Sequence, residues 1–436
     1  MTDLIKLATS QVDQAELYWH REHKIDVRYE NYTLQRISEN DLSSAALRVI
    51  DKRRIGLSCG IAPDRAEFLE EAKAAAQYGG KAGFSFSTTR KFPIVTAYDD
   101  NTAAQTSQEL VLLCEAVKER IARARPDIAL LIQCQASTEQ ITVETTDGAF
   151  GDHRFTKLAL SFGAPIKGAG IGVYKHKTSI SPFGAPEELV EEFLEWYGWT
   201  EQASTPRTGR LPVILAPEAS LLLTLPLCAG LSGEAIVKKT SPLTKRVGET
   251  ILSDKLTIID DLLRPDDPQS RPFDDEGVPC QTLVLVENGL LRTYLLDLHS
   301  AAKLKKASTG NGFKRSLFAS GTEVPPRPWP GHLVIKPGQT PYREMIAALE
   351  EGILLTGGMG FHSGNYTQGV FAVQALGFHI VDGKVRGRLD RTMVAGTIYQ
   401  DLLDIRALSK EQRESPGGLA PYILVDSLQV AGARKR

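Results

Sequence analysis

Two dipeptides constrain the second half of this chain more than any other feature: Asn288-Gly289 and Asp382-Gly383, each set between apolar runs. Such pairs accept the positive φ angles of a tight two-residue turn. "TLVLVENGLLRTYLLD" (282–297) and "VFAVQALGFHIVDGKVRGRLDR" (370–391) are therefore predicted hairpins. "LPVILAP" (211–217) reads as a short buried strand and "PYILVDSLQVAG" (421–432) as a late one. Between them, "EASLLLTLPLCAGLSGEAIVKK" (218–239) reads as a buried helix broken near Pro226. Its apolar stretch, 221–231, falls short of the roughly 18 residues of a membrane span.

The first half mixes helices and strands. "KIDVRYENY" (24–32) alternates like a strand, and "AALRVIDKRRIGLSCG" (45–60) reads as two strands bent at "DKRR". "PDRAEFLEEAKAAAQYGG" (63–80) is a predicted helix, with Pro at its start, acids early and Gly-Gly after its end. A second, 106–127, stops at Pro126. Strands are predicted at 128–136, 139–148, 154–164 and 170–179, then a helix at 186–199. The polar, Pro-interrupted segment 200–212 reads as a linker. These patterns predict an α+β chain in two parts, an N-terminal α+β domain over 1–200 and a strand-rich domain over 211–436. The N-terminus, "MTDLIKLATSQVDQAELYW", has a helical pattern interrupted by charge and lacks the basic-then-apolar layout of a signal peptide.

Lys plus Arg number 51 and Asp plus Glu 53, a net charge of −2. That balance argues against a surface built for nucleic acid or an anionic membrane. Five scattered cysteines with no C-x-x-C pair read as reduced core residues of a cytoplasmic protein.

Chemistry is harder to place. Asp260, Asp261, Asp266, Asp267, Asp274, Asp275 and Glu276 crowd one segment punctuated by Pro265, Pro268 and Pro272. The spacing of a calcium loop is absent, so these acids are expected to be solvated or to cap turns. "HREH" puts His20 and His23 three apart, where one helix face would present both, but no third zinc ligand is evident. Nucleophile-elbow, P-loop and dinucleotide motifs are missing. "GAGIG" (168–172) and "GGMGFHSGNYTQG" (357–369) read as glycine loops. "SAAKLKKASTGNGFKR" (300–315) joins small residues to flanking cations, a combination that suits an anion or carboxylate and competes with a plain surface loop.

The order of "GLSGEAIVKKTSPLTKRVGETILSDKLTIIDD" (230–261), "PFDDEGVPCQTLVLVENGLLRTYLLDLHSAAKLKKASTGNGFKR" (272–315), "LVIKPG" (333–338), "EGILLTGGMGFHSGNYTQGVFAVQALGFHIVDGK" (351–384) and "PYILVDSLQVAG" resembles the TldD/PmbA family, and within it the PmbA (TldE) branch. The resemblance is specific in the second half and looser in the first. It implies a role in cytosolic proteolysis or peptide processing. TldD-type members resemble zinc peptidases with an H-E-x-x-x-H helix and a later cysteine ligand. Aligned on "GLSGE", this sequence has Thr224 and Ala229 in the two histidine slots and Leu225 in the glutamate slot, and "SPGGLAPYILV" (415–425) offers no cysteine.

The resemblance therefore implies a chain with no metal or catalytic residues of its own. Its partner would be a TldD-type chain that holds the zinc, and the pair would act on unfolded peptide. Ser308, Thr309, Gly310, Asn311 and Arg315 are the expected peptide contacts, and "FDDEGV" is expected to organise a turn at a subunit or substrate cleft. The alternative is a stand-alone homodimer that binds peptide without cleaving it. An independent hydrolase using His20 and His23 and a nucleic-acid or gyrase-linked modulator are weaker readings.

Overall fold

A computed structural model of the chain describes residues 2–61, 66–166, 172–316, 319–361 and 364–432. Residues 168–171 of the first glycine segment and 362–363 of the second lie outside them.

Helix α1 (Asp3–Thr9) is followed by strands β1 (Gln14–Glu30), β2 (Thr33–Asp51) and β3 (Arg54–Gly60) and helices α2 (Ala66–Ala76), α3 (Asp100–Ala103) and α4 (Ser107–Ala124). Then come β4 (Leu131–Thr145), β5 (Phe150–Pro165), β6 (Gly172–Ser179) and α5 (Glu187–Trp199). The six strands form an antiparallel sheet in the order β3-β2-β1-β4-β5-β6. The N-terminal helix ends at Thr9, earlier than its pattern suggested, because Ala15 and Leu17 sit at strand spacing and are buried against α1 and α2. The strands predicted at 128–136 and 139–148 merge into β4, whose polar middle is held by ladders to β1 and β5. Helix α4 starts with a capping box, Thr106 and Glu109, and turns Leu110, Cys114, Val117 and Ile121 inward at helical spacing.

The second half adds β7 (Ala203–Ser204), β8 (Gly209–Leu215), α6 (Leu221–Leu231), α7 (Gly233–Val237), β9 (Ile258–Asp261), β10 (Thr282–Glu287), β11 (Leu290–Leu291), α8 (Leu298–Leu304), β12 (Gly312–Phe313), β13 (Arg327–Pro328) and β14 (Leu333–Ile335). It ends with α9 (Tyr342–Ala347), β15 (Glu351–Met359), β16 (Val370–Val381), β17 (Lys384–Leu389), β18 (Met393–Thr397), α10 (Ile398–Asp401), β19 (Ile405–Ser415) and β20 (Gly418–Ala431). Twelve described strands form one mixed sheet, and β18 pairs with both β16 and β20. The pairings β20-β8, β8-β15, β15-β16, β16-β18 and β18-β20 thus close a ring of strands.

Both predicted hairpins form, with Asn288, Gly289, Asp382 and Gly383 at positive φ. The first has only two residues in its second arm, because the chain turns away toward α8 after Leu291. The predicted linker contributes β7, paired with β17, and the start of β8. Gly357–Met359, expected in a loop, end strand β15. The buried helix does not break at Pro226. It runs through that residue and breaks at Ser232, since packing holds α6 on nearly every side and outweighs one lost backbone hydrogen bond.

One apolar cluster fills the strand-rich half around α6. Another is shared: Phe162, Phe193 and Trp196 of the first half pack with Phe378, Tyr342 and Tyr422 of the second. The Trp196 and Phe378 rings meet edge-on at 5.9 Å. All five cysteines are free, and four are buried. Among the described residues no helix is long and apolar enough to cross a membrane.

Candidate functional site

Helix α6 carries Thr224, Leu225 and Ala229, the residues expected from the sequence to stand where a zinc-binding helix would hold its ligands and base. Thr224 is buried, and its hydroxyl donates to the Ser220 carbonyl at 3.1 Å. Leu225 is buried as well. Ala229 is half-buried and faces a cavity. At 3.6 residues per turn, positions 224 and 229 point about 140° apart, so even two histidines there would diverge on a regular helix. Tyr399 closes one side: its hydroxyl oxygen lies where a Cβ on Gly230 would come within 2.2 Å. A spoken-for hydroxyl, an isobutyl and a methyl group do not fit a zinc ion. Among the described residues no three His, Cys, Asp or Glu side chains are grouped to hold a metal.

The cavity below Ala229 has a volume of about 270 Å³. Its floor is Cys228 and Ala229 of α6, and its walls come from α7, β13 and the turn at Thr367. Glu234 of α7 and Lys238, the residue just after its end, form an ion pair at 2.5 Å. Arg327 of β13 lies across from them. Lys238, Arg327 and His299 together hold the Glu234 carboxyl below its usual range despite partial burial.

The acidic turn stands behind this wall, and it is not solvated as expected. Asp274, Asp275 and Glu276 are 0%, 4% and 1% exposed. The turn-capping part of the expectation holds. One Asp274 oxygen accepts the N–H groups of Glu276 and Val278, and the other accepts the N–H of Gly312 at 2.8 Å. Asp275 pairs with Arg271 at 2.6 Å and accepts the N–H of Lys314. Glu276 meets Arg48 of β2 and accepts the N–H of Leu298 at the start of α8. Arg48 in turn grips Glu16 of β1 through two nitrogens, at 2.9 and 2.7 Å. These bonds position β12, which pairs with β13 in the cavity wall, and α8, which packs on α7. The solvated reading fails for these three because each accepts an N–H group from a residue distant in sequence, Gly312, Lys314 or Leu298, and because Arg271 and Arg48 supply cations to Asp275 and Glu276.

Crowding shifts these groups. Burial, reinforced by the Glu276 charge, raises the Asp274 carboxyl well above the usual range. Burial also pushes Glu276 up to about 7, with Asp297 and Glu16 adding to the rise and Arg48 opposing it. For Asp275 burial acts upward too, but Arg271 and the Lys314 N–H overcome it and hold the carboxyl low. Lys314 is buried with no hydrogen-bond partner for its ammonium among the described residues, and burial and the Arg48 charge bring it down to about 8.

Four of the five predicted peptide contacts lie on the segment leading into β12, and Arg315 follows that strand. The hydroxyls of Ser308 and Thr309 donate to the Leu296 carbonyl at 2.9 and 3.3 Å. Gly310 adopts φ +74°, with the Pro279 carbonyl where a side chain would begin. Asn311 is buried, and its amide donates to Asp260 at 2.6 Å and to the Trp329 carbonyl. Arg315 is half-buried, its guanidinium 5.3 Å from the Phe313 ring centre. His20 and His23 lie on β1, not on a helix, so a separation of three turns them to opposite faces. His20 pairs with Glu139 and His23 with Asp41, each at 2.9 Å.

Residues 208–432, just over half of the chain, match the family model described as the PmbA/TldA metallopeptidase C-terminal domain. The chain belongs to the PmbA/TldD family. The zinc metalloprotease TldD homolog of Saccharolobus solfataricus is 29% identical over 249 residues, 53% of this chain and 54% of that one. The metalloprotease PmbA homolog of Buchnera aphidicola is 26% identical over 231 residues, 52% of this chain and 47% of that one. The chain thus spans about half the length of these curated relatives. The crystal structure of TldE from Thermococcus kodakarensis superposes with a TM-score of 0.87 at 25% identity and covers 99% of both chains.

Proposed function

We propose that this chain is a TldE/PmbA-type subunit that pairs with a separate TldD-type zinc peptidase and shapes the chamber where unfolded peptide meets the partner's metal. The observation that carries the reading is the family scaffold around α6 combined with Thr224, Leu225 and Ala229 at the positions where zinc chemistry needs ligands and a base. Without a metal to polarise water, the chain's own contribution is shape and binding. Ser308, Thr309, Gly310 and Asn311 set the course of the strand beside the cavity, and Arg315 flanks it as a cationic contact for peptide. The test is cleavage of an unstructured peptide by a TldD-type chain with and without this one. Cleavage that depends on both supports the reading. Equal rates, together with a homodimer that ignores the TldD-type chain, would replace it with the stand-alone binding protein.

A further inference from the structure

The cavity beside α6 has an unbalanced set of charges. Glu234 is committed to Lys238 at 2.5 Å. Arg327 is close enough to Glu234 to lower its carboxyl, yet its guanidinium makes no hydrogen bond or ion pair among the described residues. Two cations therefore share one carboxylate at the mouth. The floor beneath them, Cys228 and Ala229, is apolar, and half-buried Trp329 forms a side wall. A guanidinium presents paired N–H donors in a plane, a shape that matches a carboxylate in two-point contact. The volume, about 270 Å³, suits one or two amino-acid residues. Zinc ligation plays no part in this chemistry, and the methyl of Ala229 leaves room that an imidazole would fill.

We infer that this cavity captures the C-terminal residue of a peptide, with the terminal carboxylate on Arg327 and Lys238 and the last side chain between the Ala229 floor and the Trp329 wall. The inference deepens the reading of this chain as the metal-free half of a peptidase, and it is tested on the isolated chain, so its failure would leave the pairing question untouched. The experiment is titration calorimetry with short unstructured peptides ending in an apolar residue, each prepared as the free acid and as the C-terminal amide, with quenching of Trp329 emission as a second readout. The free acid is expected to bind at least tenfold more tightly than the amide. Arg327→Gln should remove that preference, and Lys238→Gln should reduce it. Both side chains are exposed, so neither change threatens the fold. A Trp329→Phe chain should still bind but lose most of the fluorescence change. Equal affinity for acid and amide, binding of any carboxylate-bearing small molecule as tightly as peptide, or no saturable binding overturns the inference.

Discussion

Arg48 of β2 and Glu276 of the acidic turn meet at 3.0 Å, although 228 positions separate them in sequence. Through Arg48 the first sheet is tied to the turn that holds α8 and β12, and so to the walls of the α6 cavity. The two parts of the chain are joined by a buried charge network as well as by the shared apolar cluster.

Replacing Arg48 with Met should be severely destabilising. The change leaves Glu16 and Glu276, both about 1% exposed, without the guanidinium that bonds to both of them. Breaking a buried ion pair from one side typically costs about 3–5 kcal/mol, much more than its net contribution to stability. Arg48→Lys should recover only part of this, because an ammonium cannot reproduce the two-point grip on Glu16. Urea denaturation followed by circular dichroism gives the comparison. A triple variant with Glu16, Arg48 and Glu276 all made apolar should lie closer to wild type than Arg48→Met alone.

Stability should carry a pH signature from Glu276. Its folded-state pKa is raised from 4.5 to about 7. Between those values the folded chain holds a proton that the unfolded chain releases, so this group's contribution is fully present below pH 4.5 and is lost as pH rises through 7. The shift corresponds to roughly 3 kcal/mol. Glu276→Gln cannot titrate. Relative to wild type it should therefore gain stability from pH 5 up to about pH 7 and level off above it, read from denaturation midpoints between pH 5 and pH 8. A difference that does not change with pH would assign the raised pKa to another group of the network.

Much of the fold was legible because local rules and global packing agreed. Asn288-Gly289 and Asp382-Gly383 marked hairpins, and Pro126 marked the end of the α4 pattern. Agreement failed where tertiary contacts overrode local pattern. Pro226 continues a helix because apolar neighbours surround α6. "HREH" became strand because β2 and β4 pair with it along its length. The acids looked solvated because their partners, Arg48, Gly312, Lys314 and Leu298, are remote in sequence. Arg48 did leave a trace: it alternates with Leu47 and Val49 in a strand and so occupies the face opposite theirs. Glu234, Lys238, Arg327 and Trp329 left none, since only the fold brings α7 to β13.

Metal removal should change nothing. With Thr224 bonded to Ser220 and no ligand at 225 or 229, the purified chain is expected to carry well under one zinc per molecule after dialysis. A chelator should leave its denaturation midpoint unmoved, whereas a metal-stabilised fold would lose stability in step with metal affinity. Elemental analysis and melts with and without chelator decide the matter. One tightly held zinc per chain would require ligands outside α6 and would reopen an independent hydrolytic role.

The β2–β3 turn offers a change in the stabilising direction. Lys52 and Arg53 both occupy the left-handed region, at φ 47° and 63°. A two-residue turn of this kind favours Gly at its second position, and a side chain there costs on the order of 1 kcal/mol. The Arg53 backbone makes the local bonds: its N–H donates to Asp13 and its carbonyl accepts from Ala82, at 3.3 and 2.8 Å. Glycine keeps both. Arg53→Gly should therefore raise unfolding free energy by about 1 kcal/mol, and Arg53→Val should lower it, because a β-branched residue tolerates positive φ least. Denaturant midpoints for the pair test the sign on both sides, and a loss of stability in both variants would mean that the Arg53 side chain, not its backbone conformation, governs the turn.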